Sequence, residues 1–210
     1  AGTDVDVPAV LAATTTRTAL IDNIMAAAAE CGMDGINIDF ERINDARTGE
    51  DFVQFLRELS IRCRQAGLVF SIDNYVPYEF NARYNLKEQG AVADYVIIMA
   101  YDEHWAGSPE AGSVSSIDYV RYSIEKTSGY MDSRKIITAL PFYTRLWKTV
   151  GTQVSSEAYP MTSVDKVLAT YGMEKTWDET TSQNYAEITV GDTFYQMWVE
   201  DVQSIGVKLN

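Results

Sequence analysis

The sequence predicts an α/β protein built on a parallel sheet, and three observations lead there. Helix-patterned and strand-patterned segments alternate from residue 15 to about residue 142, the order that a parallel sheet requires. One strand of that series, at 36–41, carries polar residues along one face. Past Tyr143 the pattern changes to short strands around a tight turn, which marks a small α+β insertion.

Residues 15–31 set Leu20, Ile21, Ile24, Met25 and Ala28 at helical spacing, and Gly32 ends that helix. The polar-faced strand follows. Thr48 is read as the cap of a second helix, with Asp51 three residues on in a capping-box arrangement. The inner face of this helix is Phe52, Phe55, Leu56, Leu59 and Cys63, and Gly67 terminates it. Strands are expected at 68–74 and 93–101, with a helical turn near 84–89 between them. Ser115 or Ser116 opens a helix through Ile117, Val120 and Ile124, and 135–142 is the next strand. In the insertion, 161–171 reads as helix, and Trp177, 185–190 and 194–199 read as short strands. Gly191-Asp192 supplies a hairpin turn, and Trp177, Tyr185 and Trp198 are expected in the insertion core. A last helix begins near Glu200. Four parallel strands are too few to close an eight-stranded barrel of ~250 residues.

Composition narrows the partners. With 46% hydrophobic residues in 210, the chain is one large domain or a substantial piece of one. Lys+Arg 17 against Asp+Glu 30 gives a net charge of −13, which repels nucleic acid and anionic membranes. The longest apolar runs are far too short to cross a bilayer. No signal peptide stands at Ala1, so a mature start or a trimmed piece is expected. His104 is the sole histidine and there is no Cys-x-x-Cys, so neither a zinc site nor any cofactor is predicted. Cys31 and Cys63 each fall near a helix end. Two buried free thiols are expected, with a disulfide as the alternative.

The run Asp34-Gly35-Ile36-Asn37-Ile38-Asp39-Phe40-Glu41 carries the chemistry. Strand alternation puts Asn37, Asp39 and Glu41 on one face, with same-face neighbours roughly 6.5–7 Å apart at Cα. Strands between helices are normally buried and apolar on both faces. Three polar side chains there call for catalysis, unless this is the wet face of an antiparallel strand.

This run resembles the signature Asp-Gly-x-Asp-x-Asp-x-Glu of glycoside hydrolase family 18, the chitinase-like (β/α)8 barrels. Two more segments fit in order. Met99-Ala100-Tyr101-Asp102 is similar to that family's Met-x-Tyr-Asp strand end, and Pro141-Phe142-Tyr143-Thr144-Arg145 to its Pro-x-Tyr-Gly-Arg. Tyr101-Asp102-Glu103-His104-Trp105 and Trp198-Val199-Glu200-Asp201 resemble the bacterial branch that contains spore-cortex-lytic N-acetylglucosaminidases. Asn37 stands where the signature has its first core Asp.

The resemblance implies a partial (β/α)8 TIM barrel holding the central and later strands. The first three strands and the eighth, which brings the tryptophan floor of the sugar subsite, lie outside it. Residues 1–148 would be the partial barrel, 149–199 the α+β insertion and 200–210 the start of a truncated barrel helix. The strands at 36–41 and 136–142 would be open edges, inviting self-association, and the chain would cleave glycans poorly alone. An extracellular or cell-envelope location in a bacterium is implied.

The implied activity is hydrolysis of β-1,4 linkages beside N-acetylglucosamine, with peptidoglycan favoured over chitin. Glycosidases usually employ two carboxyl groups, but in this family the substrate's own 2-acetamido oxygen is the nucleophile. Glu41 would be the general acid and then the base. Asp39 would hold the acetamide N–H and raise the pKa of Glu41. Tyr101 would donate to the acetamide oxygen, and Asn37 would hydrogen-bond Asp39. Asp102, Trp105, Tyr143 and Arg145 would contact sugar, with Asp73 and Asn74 as further rim residues. Plainer roles are a loop cap for Asp102, a loop anchor for Trp105 and a structural ion pair for Arg145. A lectin-like module that binds glycan without cleaving it is the alternative function. A flavodoxin-like domain would need a glycine-rich phosphate loop, and none is evident.

Overall fold

Asp6 caps helix α1 (Val7–Ala12), its carboxylate accepting from the Ala9 N–H at 3.1 Å. Helix α2 (Thr14–Cys31) ends at Gly32, whose left-handed φ of 62° lets its N–H reach the Ala28 and Ala29 carbonyls. The computed structural model describes residues 6–41 and 43–210. They form two compact units. The first runs to Met99 and takes in Ile124–Ile137, and the second comprises Ala100–Ser123 and Thr138–Asn210.

In the first unit, strand β1 (Gly35–Ile38) follows α2 and helix α3 (Ala46–Ala66) follows β1. Gly35 is required by packing, since a Cβ there would lie 2.7 Å from the Val69 carbonyl oxygen. The cap of α3 is Asp45, not Thr48. Its carboxylate accepts from the Thr48 N–H at 2.9 Å and from the Thr48 hydroxyl at 2.6 Å. Thr48 thus lies inside the first turn, and Asp51 pairs with Arg47 at 3.2 Å instead of closing a capping box. The inner face is as the periodicity predicts, with Phe52, Phe55, Leu56, Leu59 and Cys63 all buried and Gly67 at the C-cap.

Strand β2 (Val69–Tyr75), a 3-10 turn (Glu79–Tyr84), helix α4 (Leu86–Val92) and strand β3 (Tyr95–Met99) complete the series. β1, β2 and β3 pair in parallel, with Asn37 opposite Ser71 and Ile72 opposite Val96. Helix α5 (Ile117–Ser128) and strand β4 (Ile136–Ala139) each have residues in both units. Ser116 is the residue that opens α5, its hydroxyl accepting from the Tyr119 N–H at 3.2 Å. The sheet order is β1-β2-β3-β4, which leaves β1 and β4 at the edges.

The second unit contains an antiparallel sheet of order β6-β5-β9-β8-β7. Its strands are β5 (Tyr143–Val150), β6 (Gln153–Pro160), β7 (Lys175–Asp178), β8 (Gln183–Val190) and β9 (Thr193–Val199). Helix α6 (Val164–Tyr171) lies between β6 and β7, and α7 (Val202–Lys208) follows β9. The β8–β9 hairpin turns at Gly191, φ 60°, as the sequence suggests. The β5–β6 hairpin, turning at Gly151 with φ 59°, is not anticipated. In β5 Leu146 and Trp147 are adjacent and both buried, and β6 is mostly polar, so neither strand shows an alternating apolar period. The sheet therefore begins at Tyr143, ahead of the boundary read at residue 149. Its core joins Leu146, Ala186, Met197 and Val199 to Val164, Val167, Leu168 and Met173. Trp177, Tyr185 and Trp198 are outside this core and half-buried. Tyr185 and Trp198 lie on the other sheet face, one step out of phase with Ala186 and Met197.

Both cysteines are free. Cys63 is buried, but Cys31 is exposed because only Arg17, Ile21 and Ala28 of its helix are covered. Among the described residues no helix is long and apolar enough to cross a membrane.

Candidate active site

In the first unit the chain leaves the sheet at Ile38, so Asp39, Phe40 and Glu41 stand just past the C-terminal end of β1 instead of within a strand reaching residue 41. Phe40 turns inward and stacks on Phe52 and Phe55, with ring centroids 5.6 Å away in each case. That anchor holds the alternation past the ladder, and Asp39 and Glu41 are both exposed. With Val7 and Phe40 they line a cavity of about 350 Å³.

Asn37 does not bond Asp39. Its side-chain amide donates across the sheet to Asp73 Oδ1 at 2.9 Å and to Ser71 Oγ at 3.0 Å. The parallel register sets this, because Ser71 is its direct partner and Asp73 is the next residue on the same face of β2. The Asp39 carboxyl is held above its ordinary range, chiefly by partial desolvation and then by the charge of Asp73. The Tyr75 hydroxyl donates to the backbone carbonyl of Glu41 at 3.4 Å. Asn74 is buried and its amide pairs with that of Gln89, so it is structural.

The second unit brings together Tyr101, Asp102, Tyr143 and Arg145. Asp102 adopts φ 56°, a conformation Asp tolerates better than most residues. Its Oδ1 accepts from the Tyr143 hydroxyl and lies 3.9 Å from Arg145 Nη2. The Arg145 guanidinium stands 6.0 Å from the Tyr143 ring centroid, and its Nη1 donates to Ser156 Oγ at 3.2 Å. Its Nε is buried and has no partner among the described residues. Burial, and then the hydrogen bond to Asp102, push the Tyr143 phenol well above its usual range, so it stays a donor. The Tyr101 ring meets that of Tyr143 edge-on, 6.5 Å between centroids. Arg145 thus pairs with an acid that is itself a candidate, and Asp102 acts as the hub of the group.

Trp105 is exposed and its ring lies over Gly107, where a Cβ would come within 2.4 Å of ring carbon. The loop under it is tied by Glu103 N–H to Val114 O at 3.0 Å and by Trp147 Nε1 to Gly112 O at 2.8 Å. Glu103 itself holds the cap residue of α5, accepting from the Ser116 N–H at 2.7 Å and from the Ser116 hydroxyl at 3.0 Å. Among the described residues no three His, Cys, Asp or Glu side chains converge as a metal site.

The sequence model described as "Glycosyl hydrolases family 18" matches residues 7–210. The chain belongs to this family. It is 32% identical over 208 residues to YdhD of Bacillus subtilis, provisionally named a sporulation-specific glycosylase, across 93% of this chain and 47% of that protein. A cortical fragment-lytic enzyme of Bacillus anthracis is 26% identical over 204 residues, with the same shares covered. The chain therefore spans about half the length of these curated relatives. Its fold matches the crystal structure of YdhD with a TM-score of 0.88 at 30% identity, over 95% of this chain and 68% of that one. A chitinase from Chromobacterium violaceum matches in fold at 0.86 and 22% identity, over 96% and 64%. The open four-stranded sheet is thus part of a family 18 barrel, as the sequence predicts.

Within this family 18 chain, sequence reading overlooked two members of the polar clusters, Ser71 and Ser156. Ser71 was recoverable in principle, because pairing 36–41 with 68–74 in parallel brings it opposite Asn37. Ser156 sits on the unanticipated β6, and nothing local points to it.

Proposed function

We propose that this chain carries the catalytic strand of a glycosidase cleaving β-1,4 linkages next to N-acetylglucosamine, with peptidoglycan as the glycan. The supporting observation is the pair Asp39 and Glu41, exposed together at the end of β1 with the Asn37–Asp73 bond beneath them. The names of the Bacillus relatives, a sporulation-specific glycosylase and a cortical fragment-lytic enzyme, favour peptidoglycan over chitin.

In this reading Glu41 gives its proton to the leaving glycosidic oxygen. The acetamido oxygen of the same sugar attacks the anomeric carbon from the opposite face, so no enzyme carboxylate bonds to the sugar. Asp39 orients the acetamide N–H and offsets the positive charge that develops on the ring of the intermediate. Glu41, now a carboxylate, takes a proton from water as the water opens the intermediate with net retention. Tyr101 donates to the acetamide oxygen, a role that rests on its motif. Asp102, held by Tyr143 and Arg145, offers sugar hydroxyls an acceptor, and Trp105 offers a flat face.

In a complete parent enzyme, Glu41→Gln should lower kcat by about 10²- to 10⁴-fold, the usual worth of a positioned general acid, while glycan affinity is kept. Retention of a tenth or more of turnover would remove Glu41 from this role. A thiazoline mimic of the cyclised acetamide should bind far more tightly than the parent sugar. A fluorosugar that left a covalent glycosyl-enzyme would sink the substrate-assisted mechanism.

A further inference from the structure

Glu41 stands beyond the parallel ladder, whose last β1 pair is Ile38 with Ile72, so the sheet does not hold it directly. Two anchors flank it instead. On one side the Phe40 ring stacks on Phe52 and Phe55. On the other is Ile43, fully buried, whose N–H donates to the Tyr84 hydroxyl at 3.3 Å and whose carbonyl accepts from Arg83 Nε. Both anchors meet at Tyr84. Its ring packs edge-on against Phe52, 6.1 Å between centroids, and against Tyr75 at 5.9 Å. The Tyr75 hydroxyl in turn reaches the Glu41 carbonyl.

Tyr84 is itself firmly placed. Its carbonyl accepts from Nε2 of fully buried Gln89 at 2.7 Å. The Arg83 carbonyl lies so close to α3 that a Cβ on Gly49 would come within 2.4 Å of its oxygen. The Arg83 guanidinium stands 6.0 Å from the Tyr84 ring centroid. Burial pushes the Tyr84 phenol above its ordinary range, with the charges of Glu41 and Asp39 adding to this, so it stays protonated. A phenylalanine would fill the same aromatic cluster. What the hydroxyl adds is the bond to Ile43, two residues after Glu41.

We infer that Tyr84 is a positioning residue for Glu41, its buried hydroxyl and the neighbouring Arg83 fixing the backbone that follows the acid. This rests on the glycosidase reading above. A general acid must come within hydrogen-bond reach of the oxygen it protonates, and a misplacement of about 1 Å can cost about 10²-fold in rate. The Glu41 side chain is exposed, so packing around it does not aim it. Its aim comes from the backbone on either side, where Phe40 fixes the residue before and Ile43 the segment after. Buried Tyr84 acts through Ile43 and not on the glycan.

The test is a double-mutant cycle of Tyr84→Phe and Glu41→Gln in the complete parent enzyme, read on an oligomer of β-1,4-linked N-acetylglucosamine. Tyr84→Phe should lower kcat/KM about tenfold, through kcat and with KM unchanged. Once Glu41 is replaced by Gln, it should cause no further loss. On an aryl glycoside whose leaving group is dinitrophenolate, which departs without a proton, the loss should vanish. Arg83→Met frees the Ile43 carbonyl while leaving the Tyr84 ring in place, and it should repeat the pattern. Unchanged kcat/KM in Tyr84→Phe would overturn the positioning role and leave Glu41 as the acid. A loss that persists beside Glu41→Gln, or on the dinitrophenyl substrate, would also overturn it, because the effect would then not pass through the acid. Glu41→Gln retaining a tenth or more of turnover would overturn the glycosidase role of Glu41, and the positioning role with it.

Discussion

Glu200 and Lys208 form an ion pair in which neither side chain retains any solvent exposure. Burial pushes the Glu200 carboxyl up and the Lys208 ammonium down, and their mutual attraction opposes both shifts. The carboxylate also accepts from Gln183 Nε2 at 2.7 Å and from Ser204 Oγ at 2.8 Å. Gln183 Oε1 in turn accepts from Ser113 Oγ, whose oxygen takes the Ser115 N–H, and Ser115 Oγ donates to the Ala100 carbonyl at 2.6 Å. The Glu200 N–H donates to Thr144 Oγ1 at 2.8 Å. One buried network thus grips the residues next to Tyr101 and next to Tyr143.

Lys208→Met should therefore be severe, since it strands a buried carboxylate. A loss of about 3–5 kcal/mol is expected, read as a lower urea midpoint. Adding Glu200→Gln removes the stranded charge and should recover part of it. A single variant as stable as the parent would mean the pair is not buried in solution.

Gly35→Ala should destabilise the chain by about 1–3 kcal/mol through overpacking, because the new methyl meets the Val69 carbonyl oxygen at 2.7 Å. Gly32→Ala is the contrast, strained by its φ of 62° but with nothing within 4 Å of the methyl. The two can be separated by crystal structure or amide shifts, since only Gly35→Ala has to displace β2.

Asp73→Asn keeps the acceptor for Asn37 and removes the charge that helps hold Asp39 above its ordinary value of 3.8. The Asp39 titration followed by carboxyl carbon NMR should move to lower pH. The acid limb of any pH–rate profile should follow, as the proposed role needs Asp39 ionised. A raised folded pKa gives stability at low pH that is lost as pH rises through it. The variant should therefore gain stability near neutrality relative to acid. An unmoved Asp39 titration would leave desolvation as the whole cause.

β1 and β4 are the edges of the parallel sheet, and sheet edges recruit partners. The 210-residue chain should elute as more than a monomer by gel filtration with light scattering, and its turnover should be poor. A monodisperse monomer with robust turnover would show that its edges are covered and its cleft sufficient.

Much of this was legible beforehand because it is local. The apolar spacing of Phe52, Phe55, Leu56 and Leu59 repeats with the helix, and they are buried. The polar alternation of Asn37, Asp39 and Glu41 located the candidate site, and Gly191 its hairpin. The strands read near 36–41 and 136–142 are the sheet edges, as the family resemblance implied.

What sequence could not supply is which groups meet across elements. Asn37 has equal chemical claim on Asp39 and Asp73, and only the parallel register with β2 gives it to Asp73. Asp45 and Thr48 are both good caps, and the helix starts where Asp45 can bind both donors of Thr48. Asp102 joins Tyr143 and Arg145 from a segment 41 residues away. Local pattern is set by the repeat of helix and strand, one chain segment at a time. Register, burial and the pairing of distant polar groups depend on how segments are laid side by side, and for this protein the tertiary structure alone decided them.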